Sequence, residues 1–168
     1  MPTVAQEDAA LERLTRSAEE TRQLAYQLGR WAEAGQVFAL SGPLGVGKTC
    51  FAQGLLAGLG VDEPVVSPTF TLMITYEGRV PVVHLDVYRL EDPSELEELG
   101  LDLARARGAV WVVEWAERAE SILPEERLEV AIAYAPDQGP QARRLRLVAR
   151  GAAHTALLER VLAGERCV

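Results

Sequence analysis

At 168 residues, 48% of them hydrophobic and 25% charged, the chain has the size and balance of a single globular domain over 1–168, able to bury roughly two-thirds of its unfolded surface. A net charge of −8 argues against an extended nucleic-acid surface, since phosphate backbones require a basic one, so contact with RNA is expected to be local or made through a partner. Two cysteines, Cys50 and Cys167, with no Cys-x-x-Cys and no Cys/His cluster, argue against a disulfide framework and a zinc site.

Residues 1–16 are polar without a clear period and predict a loose arm or a short lead-in strand. The start lacks both a basic region and an apolar signal core, and no apolar run approaches membrane length, so a cytoplasmic protein is expected. Ser17-Ala18-Glu19-Glu20 has the form of a capping box, and Leu24, Leu28 and Trp31 then recur at helical spacing up to Gly35. That spacing predicts a helix with Trp31 in the core.

Residues 36–40 form an apolar run of strand length, and 50–59 repeat apolar residues at helical spacing. Between them lies Gly42-Pro43-Leu44-Gly45-Val46-Gly47-Lys48-Thr49, which matches the P-loop pattern G-x-x-x-x-G-K-[ST]. The chemistry behind the pattern is specific: glycines let successive backbone N–H groups point into one anion-sized hollow, and the following helix adds its N-terminal dipole. Lys48 is expected to reach the β and γ phosphates of a nucleotide and Thr49 to offer its hydroxyl to Mg²⁺. The bare pattern arises by chance on the order of once in a hundred chains of this length, and the strand and helix around it lower that further. Lys48 is also the only lysine among 17 basic residues, as expected where a compact charge is needed and a guanidinium would not fit.

After a loop at Asp62-Glu63-Pro64, Pro68 forces Ser67 into an extended conformation in Ser67-Pro68-Thr69-Phe70. Thr69 could serve either a γ phosphate or simply the entry to a strand. Residues 71–76 and 80–85 read as strands joined by Glu77-Gly78-Arg79, an antiparallel hairpin inserted in a mainly parallel sheet. The second delivers Asp86 at its end, with His84 on the same face, either a base or a hydrogen-bonded core histidine. Asp92-Pro93-Ser94-Glu95 opens a predicted helix whose Glu95, Glu97 and Glu98 form a solvated face.

Residues 109–113 make a continuous apolar run, the form of a strand buried on both faces, with Trp111 in the core. It ends in Glu114-Trp115, and a carboxylate there is a Walker B candidate that would bind Mg²⁺ directly or through water. Asp86 has the same position on its own strand. Glu114 ends the more uniformly apolar run, so it takes the Mg²⁺ shell, with Asp86 orienting water or completing the site. Residues 127–134 and 142–149 predict a second hairpin with Arg144 and Arg146 on an exposed face, and 152–163 a closing helix. The fold class implied is α/β: a P-loop NTPase-like three-layer domain whose mixed sheet has a parallel core, inserted antiparallel hairpins and helices on both faces.

Several of these segments together resemble the TsaE (YjeE) family, bacterial P-loop ATPases of tRNA threonylcarbamoyladenosine biosynthesis. The resemblance rests on Ser17-Ala18-Glu19-Glu20-Thr21, the P-loop, Gln53-Gly54-Leu55, Ser67-Pro68-Thr69-Phe70, His84-Leu85-Asp86-Val87-Tyr88-Arg89 and Val113-Glu114-Trp115, and covers roughly residues 17–118. It implies an ATPase acting with TsaB and TsaD proteins, which transfer a threonylcarbamoyl group to the adenosine beside the anticodon of certain tRNAs. It further implies that Lys48 and Thr49 hold phosphate and Mg²⁺, that Glu114 helps bind Mg²⁺, and that Asp86 belongs to the catalytic or switching set. Trp115 and Thr21 would be functional too, Thr21 near the base, and the segment containing Thr69 would be a switch that reorders with the γ phosphate. Val46 stands where the family more often has alanine.

Three other readings compete with the partner-dependent ATPase. A small-molecule kinase would carry an Arg-rich lid, yet between positions 70 and 108 the only arginines are Arg79, Arg89, Arg105 and Arg107. A GTPase would need Asn-Lys-x-Asp, and the chain has no asparagine. The serious rival is a nucleotide-sensing module that binds ATP without hydrolysing it.

Overall fold

The computed structural model describes residues 9–69, 71–92, 94, 95 and 107–167. Seven strands hydrogen-bond into one mixed sheet: β1 (Ala9–Thr15), β2 (Val37–Ser41), β3 (Met73–Glu77), β4 (Pro81–Asp86), β5 (Val110–Glu114), β6 (Arg127–Tyr134) and β7 (Arg143–Arg150). Their spatial order is β1-β7-β6-β2-β5-β4-β3. The four central strands, β6, β2, β5 and β4, run parallel. Antiparallel β3–β4 and β6–β7 hairpins flank them, and β1 closes one edge by pairing antiparallel with β7. The parallel core with two added hairpins is the architecture that the sequence predicts. The ambiguous lead-in is a strand over its described part, because Leu11, Arg13 and Thr15 find register partners at Leu147, Leu145 and Arg143.

Parallel strands need covering on both faces, and β5 is buried at every position, as its unbroken apolar run requires. One face, bearing Phe38, Leu40, Leu128, Val130, Leu145 and Leu147, packs beneath α1 (Ala18–Trp31), α2 (Lys48–Gly58) and α3 (Ala152–Glu165). The other face gathers Val37, Ala39, Val83, Leu85, Trp111 and Val113 under Ala116 and Ala119, in and after a 3₁₀ turn, Ala116–Arg118. The helix predicted from Asp92 keeps its cap, with the Ser94 N–H donating to Asp92 Oδ1 (2.9 Å). Its body, with Glu97 and Glu98, lies outside the described residues. No described helix is long and apolar enough to cross a membrane.

The two helices nearest the P-loop touch backbone to backbone. A Cβ on Gly29 of α1 would lie 2.1 Å from the Leu55 carbonyl oxygen, and one on Gly54 of α2 2.3 Å from that of Arg22, so only glycine permits the approach. Ser17 caps α1, accepting from the Glu20 N–H at 3.1 Å, while the Glu20 carboxylate reaches back to the Arg16 N–H at 2.7 Å. The other end of α1 departs from expectation. The helix stops at Trp31, ahead of Gly35, because Ala32 is extended and Arg79 donates to the carbonyls of Gly29, Arg30 and Ala32. Trp31 is therefore not core. It is 36% exposed, with the Arg160 guanidinium of α3 4.1 Å from its ring centroid, because the last turn of the helix overhangs the apolar face that Leu24 and Leu28 fill.

Candidate functional site

The P-loop leaves β2 and enters α2, so it sits at the carboxyl ends of the parallel strands, where open α/β sheets place their ligand crevices. Two glycines fix its path. At Gly42 a Cβ would lie 2.4 Å from the Ile132 carbonyl oxygen, and Gly47, which precedes the first turn of α2, has a φ of 119°. Val46 turns its side chain into the core at 1% exposure, whereas Pro43, Leu44 and Gly45 form the exposed outer rim.

Lys48 lies buried within the loop. Its ammonium donates to the carbonyls of Gly42 (2.6 Å) and Pro43 (2.9 Å) and stands 3.7 Å from the centroid of the Trp115 ring. Burial holds its pKa below the ordinary lysine value, opposed in part by the carboxylates of Glu117, Glu114 and Asp86. The ring reaches the ammonium because Trp115 adopts a left-handed conformation (φ 60°) directly after β5, which turns the chain over the cleft. Tyr88 packs against the indole at 4.7 Å between centroids, and Arg118 lies 4.4 Å from the Tyr88 centroid.

The acids come from neighbouring strand ends. Glu114 is paired in register with both Leu40 of β2 and Asp86 of β4, so its strand is the one adjacent to the P-loop strand and Asp86 stands one strand further out. The Thr49 hydroxyl donates to Glu114 Oε1 (2.8 Å), and His84 Nε2 lies 2.6 Å from Glu114 Oε2. His84 is wholly buried, and beyond this bond from Nε2 its Nδ1 has no hydrogen-bond partner among the described residues. It therefore fixes the orientation of Glu114, a role that the strand pattern alone could not distinguish from a general base. Asp86 accepts from the Tyr88 N–H at Oδ1 (2.9 Å) and from the Thr69 hydroxyl at Oδ2 (3.2 Å), and Thr69 shares a 2.6 Å hydrogen bond with Ser67.

Leu44, Gly45, Gly47, Lys48, Thr49, Thr69, Asp86, Glu114 and Trp115 thus line one cleft of about 280 Å³, together with Cys50 and Ser67. Burial raises the Cys50 thiol pKa, so it remains a thiol there. Thr21 is not among the lining residues. It is 2% exposed, and its hydroxyl is occupied by the Ser17 carbonyl (3.3 Å) and the Thr15 hydroxyl (2.7 Å), so it ties α1 to β1. Phe70 lies outside the described residues.

The donor set has a definite character. Thr49, Glu114 and Asp86 offer oxygens only, which suits a hard cation such as Mg²⁺, bound by one or two carboxylates and completed by phosphate and water. Among the described residues, no three His, Cys, Asp or Glu side chains cluster as a self-sufficient metal cage.

Comparison with known proteins gives a consistent result. Residues 15–145 match the family described as threonylcarbamoyl adenosine biosynthesis protein TsaE, a match that runs beyond the 17–118 that the motifs cover. The chain is 45% identical over 124 residues to the tRNA threonylcarbamoyladenosine biosynthesis protein TsaE of Bacillus subtilis, covering 73% of this chain and 77% of that one. It is 40% identical over 124 residues to the TsaE of Treponema pallidum, covering 74% and 92%. The crystal structure of Bacillus subtilis YdiB superposes with a TM-score of 0.78 at 33% identity, over 95% of this chain and 99% of that one.

Proposed function

The chain belongs to the TsaE family, and from that premise we propose that it binds and hydrolyses ATP in the cytoplasm as a subunit of the tRNA threonylcarbamoyladenosine machinery. It supports turnover of a transfer complex of TsaB-like and TsaD-like proteins, and meets tRNA indirectly through them. One observation carries the nucleotide reading: the only lysine, the P-loop threonine and two strand-end carboxylates converge on one cleft, with Thr49 already bonded to Glu114 at 2.8 Å.

The residues divide the work by their chemistry. The N–H groups of Gly45 and Gly47 in the P-loop and the N-terminal turn of α2 face the phosphates, while the Val46 N–H closes the loop on the Pro43 carbonyl (3.2 Å). Lys48 exchanges its carbonyl partners for phosphate oxygens. Thr49 and Glu114, with Asp86 beside them, would hold Mg²⁺, which supplies charge neutralisation on the phosphates. Asp86 orients the attacking water, and Thr69, bonded to it at 3.2 Å, is placed to pass a change at the γ phosphate to the segment it belongs to. Trp115 forms part of one wall, with Tyr88 packed against its ring.

Calorimetry with ATP·Mg²⁺ and phosphate release, measured alone and with the TsaB-like and TsaD-like proteins, test this reading. ATP binding with partner-stimulated release that is lost in Lys48→Ala is the expected result. Tight ATP binding with no release above the blank in either condition replaces it with the sensing module, and no affinity for adenine nucleotides overturns it.

A further inference from the structure

The P-loop is fastened to the β6–β7 hairpin, on the side of β2 opposite the strands that carry Glu114 and Asp86. Tyr134, the last residue of β6, donates its hydroxyl to the Leu44 carbonyl (2.8 Å), and Arg143, the first residue of β7, donates Nε–H to the Val46 carbonyl (2.8 Å). The two are register partners across the hairpin, and the guanidinium lies 4.6 Å from the centroid of the Tyr134 ring, so each steadies the other. Arg143 is tied down in turn by the carbonyls of Pro140 (3.1 Å) and Ala142 (2.9 Å).

The consequence follows from the planarity of the peptide. In a trans peptide the C=O of one residue and the N–H of the next point in opposite directions. Fixing the Leu44 carbonyl toward Tyr134 therefore aims the Gly45 N–H away from it, and fixing the Val46 carbonyl toward Arg143 does the same for the Gly47 N–H. Gly45 and Gly47 both line the cleft, and among the described residues neither N–H has an acceptor. At Gly45, moreover, a Cβ would stand 3.3 Å from the Tyr134 hydroxyl, so loop and strap are fitted to one another.

We infer that Tyr134 and Arg143 are positioning residues for phosphate binding, holding the Gly45 and Gly47 amides aimed into the cleft from outside it. The inference rests on the nucleotide reading above. Neither side chain lines the cleft, so each acts through the loop backbone and not on the ligand.

Tyr134→Phe and Arg143→Met test it, with calorimetric affinities for ADP and ATP and the thermal midpoint of the nucleotide-free protein measured for each. Tyr134→Phe removes one hydrogen bond and keeps the stacked ring, so the nucleotide-free midpoint stays at the wild-type value while ADP and ATP weaken together, by about three- to tenfold. A residue that merely supports the fold would move the midpoint and spare the affinity. Arg143→Met weakens binding by a similar or larger factor, and Arg143→Lys, which keeps one donor, recovers part of it. If Arg143→Met lowers the midpoint, Tyr134→Phe alone decides. Wild-type affinity in Tyr134→Phe overturns the inference and leaves the nucleotide reading standing, whereas wild-type protein that binds no nucleotide overturns both.

Discussion

Gly54→Ala offers a test in which the sign of the effect is itself informative. The substitution adds a Cβ 2.3 Å from the Arg22 carbonyl oxygen and 2.8 Å from its Cα, both backbone atoms of α1 that no side-chain rotation can move. Relief requires the helices to part by about 1 Å, a gap that forfeits a quarter to a half of each dispersion contact across the interface. Overpacking of this kind costs roughly 3 kcal/mol at the upper end of its range, while replacing a helical glycine by alanine returns about 1 kcal/mol. A net loss of about 2 kcal/mol lowers the thermal midpoint of a chain this size by about 4–8 °C. Gly164→Ala is the matched control, since it makes the same chemical change in α3 with nothing within 4 Å of the new atom. It should raise the midpoint, by about 2–4 °C. Because α2 begins at Lys48, its displacement should also weaken ADP binding in Gly54→Ala but not in Gly164→Ala. Thermal unfolding of both variants with and without ADP provides the measurement. A midpoint for Gly54→Ala at or above that of wild type would refute the backbone contact and the coupling drawn from it.

Two further predictions concern the acids and the buried histidine of α3. Glu114→Gln and Asp86→Asn should each lower the rate of phosphate release by about a hundredfold or more while the protein stays folded, and full turnover in either would reassign that residue to structure. His154 accepts from the Val37 N–H at 3.1 Å, and burial holds its pKa below the ordinary 6.5, against weaker opposing effects of Glu126 and the Arg150 backbone. The unfolded chain therefore takes up a proton at this site before the folded one does. The site's contribution is intact above pH 6.5 and is lost as pH falls through the window below it, with a slope of up to about 1.4 kcal/mol per pH unit. Denaturant titrations from pH 7.5 to pH 5 should show His154→Gln losing less stability over that interval than wild type; parallel curves would refute the assignment.

What the sequence disclosed, and what it withheld, follows from how far each interaction reaches along the chain. The P-loop, its flanking strand and helix, and the acids at 86 and 114 were legible because each is set by neighbours in sequence: apolar runs, glycines and a strand end. Trp31 misled, because helical spacing identifies a face but cannot say where the partner surface stops, and the last turn of α1 overhangs it. Thr21 came with the family resemblance rather than from its own surroundings, and in the fold its hydroxyl is consumed by Thr15 and Ser17. The pairing of His84 with Glu114 spans 30 positions, and that of Tyr134 with Leu44 spans 90. Alternation within a strand predicts which residues face outward, but not that one of them bonds to a loop from the other half of the chain.

The resting place of the Lys48 ammonium, between two carbonyls and an indole face, bears on selectivity as well as on affinity. A chloride or acetate ion brings one charge and few points of attachment, less than the cation already has from its own chain, so it gains little by intruding. Only an anion broad enough to engage the loop amides at the same time can displace those internal partners. Exchanging chloride for acetate at constant ionic strength should accordingly leave ADP affinity unchanged. A loop that keeps its own cation partnered in this way is thereby insulated from the small anions around it.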